Sequence, residues 1–160
     1  MAACSVRGLG AALALIGLAG CASVTELPRR ILPDPDPARL MPVGSTWAVT
    51  AIAATALPAE NGMLLRRESR RKLTGTTACN SFSARLRRAG DRVVVDEFSI
   101  TEMACVGYAA QQEAALTGAL LRVDGVAPGL DGGIVLVGEG VGLIALAPVP
   151  APPPPRAARD

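Results

Sequence analysis

The sequence predicts an α+β fold: a small, antiparallel, β-rich and barrel-like domain with one packed α-helix. Two observations carry this. Between about residues 45 and 146, short runs of β-branched and apolar residues alternate with polar ones and are separated by turn residues. One segment, 108–121, has the composition of a helix instead. Aromatic residues are limited to Trp47, Phe82, Phe98 and Tyr108, so the core must be built mostly from Val, Leu and Ile.

In chain order, 45–52 (STWAVTAI) follows Gly44 and reads as the first strand. Segments 63–67 and 72–77 read as two more, with Glu68-Ser69 between them. In 81–87, Phe82, Ala84 and Leu86 fall on one side and Ser83, Arg85 and Arg87 on the other, the period-2 pattern of a half-buried strand. Ala89-Gly90-Asp91 is a turn, and 92–98 (RVVVDEF) is its hairpin partner. Segment 108–121 (YAAQQEAALTGALL) places Ala109, Leu116 and Leu120 on an apolar face and Gln111, Gln112 and Glu113 in its first turns, an amphipathic helix. Segments 133–137 and 142–146 form a last hairpin around Glu139-Gly140, and the glycines near 125–142 punctuate turns. Closing the sheet into a barrel would protect its edges.

The N-terminus says where the chain works. Arg7 is the only charge before Cys21, and Gly8 to Gly20 is uninterrupted Gly, Ala, Leu and Ile. This has the layout of an export signal, and its 13 residues fall short of the roughly 20 a spanning helix needs. Leu18-Ala19-Gly20-Cys21 resembles the lipobox of bacterial lipoproteins. The expectation is a signal peptide over 1–20 and lipidation at Cys21. With Ala22 and Ser23 following, and no Asp, the expected location is the cell envelope, on the outer membrane facing the periplasm. Pro28, Pro33, Pro35, Pro37 and Pro42 make 21–42 an extended tether. The domain is expected over 43–148, and 149–160 is expected to be a disordered Pro-rich tail.

Several chemistries lack their residues. The chain has no His, which removes a Ser-His-Asp triad and leaves no good metal site. No phosphate-cradling Gly-rich loop is present, and a net charge of +2 argues against a nucleic-acid partner. No cofactor is expected. Cys4 leaves with the signal and Cys21 carries lipid, so Cys79 and Cys105 remain as one pair in an oxidising compartment. Their spacing is not Cys-x-x-Cys and no base is evident nearby, so a structural staple is preferred to a redox pair. Such a loop closure is worth roughly 3–4 kcal/mol in the chain-entropy model. Asn80 reads as a turn cap. Asp96, Glu97, Glu102 and Glu113 read as solvated strand ends and a helix N-terminus rather than paired catalytic carboxylates.

Two segments stand out, 76–83 and 100–105. Ala78-Cys79-Asn80, then Thr101, Met103, Ala104 and Cys105, then Glu113, resemble the META domain, the family of HslJ-like heat-shock proteins; Gly44-Ser45-Thr46-Trp47 is similar to the family's opening. Ala78 and Ala84 stand where Gly is usual, and Leu86 where an aromatic is usual. The resemblance covers about 43–148. It implies a small β-rich unit with a packed helix, often in envelope lipoproteins or periplasmic proteins linked to stress response or antibiotic tolerance. It supplies no active site. The expected function is therefore that of a non-catalytic envelope lipoprotein, with a lysozyme-inhibitor-like protein binder as the alternative. The expected partners are a membrane, through the N-terminal lipid, and an anionic envelope component or protein. For the latter, Arg66, Arg67, Arg70, Arg71, Lys72, Arg85, Arg87, Arg88 and Arg92 could form one basic patch, or serve only as charged edges that block sheet-to-sheet aggregation.

Overall fold

The computed structural model describes residues 37–150; Cys21, the tether up to residue 36 and the tail from 151 lie outside the described residues. One antiparallel sheet is formed by β1 (Thr46–Ile52), β2 (Thr55–Ala56), β3 (Leu64–Arg67), β4 (Lys72–Thr76), β5 (Ser81–Ala89), β6 (Arg92–Ile100), β7 (Gly125–Pro128), β8 (Ile134–Gly138) and β9 (Val141–Pro148). Its order is β6-β5-β4-β3-β1-β9-β8-β7, with β2 folded back on β1. The two helices are α1 (Pro37–Leu40) and α2 (Gly107–Leu120).

The sheet curls into a half-barrel whose edges meet at one point. The Val93 N–H of β6 donates to the Asp124 carbonyl just before β7 (3.2 Å), and Arg92 pairs with the Asp124 carboxylate (3.2 Å). Curling has local causes. Ladder registers shift between Val49 and Ala51, between Ala84 and Arg85, and between Leu136 and Val137, and such bulges bend and twist a strand. The concave side collects Val49, Met63, Leu65, Leu73, Phe82, Ala84 and Ile144, all buried. α2 packs against β9 and β1 and adds Leu116, Ala119 and Leu120 to the same core.

The expected strands and helix are present, with informative differences. β7 (GVAP) was expected to be turn, because glycines surround it. It pairs with β8 in register, Gly125 opposite Val137, and buries Val126 and Ala127. As the edge strand it tolerates Pro128, which has no N–H to give. The end of the expected tether is also packed: residues 37–40 make one helical turn and Met41 is 3% exposed. The Arg67 guanidinium holds it there by donating to the Met41 carbonyl (2.7 Å). α2 is less amphipathic than expected. Its buried side is narrow, and Ala114, Ala115 and Gly118 rather than charges face solvent.

Gly75 shows how tightly the sheet is built. It lies opposite Leu65 and Phe82, and the Phe82 ring stacks on Phe98 at 5.5 Å. A Cβ at Gly75 would strike the Leu64 carbonyl and come within 2.7 Å of the Phe82 ring. Overpacking of this kind costs about 1–3 kcal/mol. Gly75→Ala should therefore lower the thermal midpoint by several degrees in a circular-dichroism melt, and a midpoint equal to that of the parent would refute the contact.

Candidate functional site

The family-like segments meet at one end of the sheet, where β4 hands over to β5 and β6 runs into the loop before α2. Thr77 folds the first loop. Its hydroxyl accepts the N–H groups of Asn80 (2.7 Å) and Cys79 (3.1 Å) and donates to Glu113 Oε2 on α2 (2.5 Å). Thr77 is 4% exposed. The expected turn cap was Asn80; the turn is capped by Thr77 instead. A Thr three residues before Asn was the available sequence signal for it.

Asn80, also 4% exposed, reaches across to the second loop and the helix. Its Oδ1 accepts from the Thr101 hydroxyl (2.7 Å) and the Met103 N–H (2.9 Å). Its Nδ2 donates to Glu113 Oε1 (3.1 Å) and the Met103 carbonyl (3.3 Å). Both donors and both lone pairs of the carboxamide are in use. Thr101 passes the network on, accepting the Ser81 N–H (3.1 Å). Cys79 and Cys105 clamp the same two loops: they stand as a disulfide pair with Cα atoms 6.3 Å apart. Met103 contributes backbone only, its side chain being 60% exposed. Ala78 packs against the core and Ala104 is exposed. The structure thus joins Cys79, Asn80, Thr101, Met103 and Cys105 to Glu113 and Thr77.

The basic residues divide. Arg67 is not on the surface: it is 7% exposed, and besides Met41 it donates to the carbonyls of Ser69 and Arg70 (3.4 Å each). Its position in the strand puts it on the concave face beside Leu65, where backbone carbonyls receive the guanidinium. Several of the others are in ion pairs: Lys72 with Glu68 (2.9 Å), Arg85 with Glu97 (2.5 Å), Arg87 with Asp96 (3.2 Å) and Arg92 with Asp124. The hydrogen bond from Lys72 holds the Glu68 carboxyl below its usual range. Arg66 is exposed on β3. A groove of about 750 Å³ is walled by Arg70 and Arg71 from the β3–β4 turn and by Arg85, Arg87 and Arg88 of β5; Arg67 and Asp96 also line it.

The family model of the META domain matches residues 39–140, a span that contains both loops, α2 and the groove. Among solved structures, the chain is similar to a protein from Burkholderia xenovorans determined by NMR. The two share 18% identity and a TM-score of 0.57 over 73% of this chain and 89% of that one, a likeness of fold. No curated protein matches the chain.

Two outcomes test the loop geometry. Non-reducing peptide mapping by mass spectrometry should recover the peptides of Cys79 and Cys105 joined, and free thiols at both in protein purified without reductant would refute the pairing. Asn80→Ala removes the bridges to Thr101, Met103 and Glu113, at about 0.5–1.5 kcal/mol for each hydrogen bond lost. Its denaturant midpoint should fall well below that of the parent; an unchanged midpoint would show that the network holds nothing.

Proposed function

The chain belongs to the META domain family, and on that premise we propose that it is a non-catalytic, lipid-anchored protein of the bacterial envelope with a binding or stress-tolerance role. The observation that carries the non-catalytic part is the full use of Asn80. Asn80, itself buried, spends its hydrogen-bonding capacity on Thr101, Met103 and Glu113 and works as a fastener for two loops and a helix. A catalytic polar group needs capacity left over for a substrate.

The anchor rests on Leu18-Ala19-Gly20-Cys21 at the end of an apolar run. Each buried lipid CH₂ contributes about 0.8 kcal/mol, and stable anchoring needs more than one chain or signal, which a multiply acylated N-terminal Cys supplies. Fifteen residues separate Cys21 from Pro37, a stretch that can span at most about 58 Å. The domain would thus work close to its membrane. Cys21→Ala should move the protein from the membrane fraction to the soluble one. Unchanged fractionation would sink the anchor.

A further inference from the structure

We infer that the arginine-walled groove at the β3–β4 end of the half-barrel is a binding site for a phosphate-bearing ligand; this gives the proposed binding role a chemical class but does not rest on the lipid anchor. The groove brings together Arg67, Arg70, Arg71, Arg85, Arg87 and Arg88 with one carboxylate among its described lining residues, Asp96. The strand ladder forces the arrangement. Lys72 lies opposite Arg85, and the Leu86 N–H donates to the Arg71 carbonyl (2.8 Å), so the 68–71 turn overhangs the arginine run of β5.

Asp96 is engaged by Arg87, and Arg85 turns to Glu97. Arg70 and Arg71 have no ion pair among the described residues. Crowding like charges into a concavity raises the local potential and favours an anion there, although the whole chain carries only +2. Arg67 supplies a fixed positive floor, its guanidinium held by three backbone carbonyls. Apolar Leu86 and Val93 line the groove beside it.

The cations that line the groove are all arginines, whose chemistry suits phosphate. Of the sixteen basic residues only Lys72 is lysine, and its ammonium is held by Glu68 outside the groove. Arginine's planar fork binds phosphate oxygens two at a time, which a lysine ammonium cannot do. The site is compact, the size of a small-ligand pocket rather than a polyanion track.

The test is an NMR amide titration of the full chain carrying Cys21→Ala with inorganic pyrophosphate. Saturable shifts are expected at 70–71 and 85–88. Arg70→Gln/Arg71→Gln, which alters only exposed turn side chains, should weaken binding at least about tenfold without moving the unfolding midpoint, and Arg88→Gln should weaken it independently. Vesicles distinguish the source of the phosphate. Retention on phosphatidylglycerol but not phosphatidylcholine vesicles, reversed by pyrophosphate, assigns a lipid headgroup; pyrophosphate binding without retention assigns a soluble ligand. Absence of saturable shifts together with absence of retention would overturn the site. So would equal shifts at Arg92 and Arg122, or an affinity unchanged in the double variant. Because Cys21 is replaced throughout, failure here leaves the anchor standing, and failure of the fractionation experiment leaves the groove standing.

Discussion

Two loops leave the sheet at the same end, 77–80 between β4 and β5 and 101–105 after β6, and no strand ladder holds one to the other. The chain meets that constraint with one side chain. Asn80 offers Met103 a donor and an acceptor at once, much as a neighbouring strand would, and reaches α2 through Glu113. Without it the second loop would have no partner on the first except the sulfur bridge. The placement of α2 follows, since the loop that positions its start is the one Asn80 holds. α2 then supplies Leu116, Ala119 and Leu120 to the core. Covalent and hydrogen-bonded links overlap here: the Cys79–Cys105 pair limits how far the loops can separate, and the carboxamide sets their register.

How much of this was legible in the sequence depended on whether a residue's role is local. The alternation in β5 is a property of neighbouring residues, and Phe82, Ala84 and Leu86 could be assigned to one side directly. The same holds for the turn at Gly90, whose φ of +68° suits glycine. β7 could not be read this way. Gly125 and Pro128 speak for a turn locally, and only pairing with β8 makes the segment a strand. Met41 is buried because Arg67, 26 positions away, donates to its carbonyl, and no pattern within residues 37–42 signals it. Family-like residues at 78–80 and 101–105 identified the right neighbourhood. The division of labour inside it, with Thr77 capping the turn and Asn80 bridging, depends on which groups are desolvated together.

The same distinction explains the arginines. Sequence adjacency suggested one basic patch, but strand alternation sends Arg66 outward and Arg67 inward, and cross-strand acids meet Arg85 and Arg87. Such exposed pairs contribute little to stability, about 0–1 kcal/mol each. Their effect is to order the outer face of β5 and β6. Arg70 and Arg71, in the 68–71 turn, are left without an ion pair among the described residues. A surface that looks uniformly basic on paper is in three dimensions a patterned face beside a charged concavity.

The pairing of β1 with β9 reaches beyond the core. Trp47 lies opposite Pro148, and the Val149 N–H donates to the Thr46 carbonyl (2.9 Å), so the polypeptide enters and leaves the half-barrel side by side. Adjacent entry and exit points are what allow a domain to be spliced into a host loop or circularly permuted without stretching either. The unit therefore has the geometry of a portable cassette, and new ends could open at an exposed turn such as 90–91.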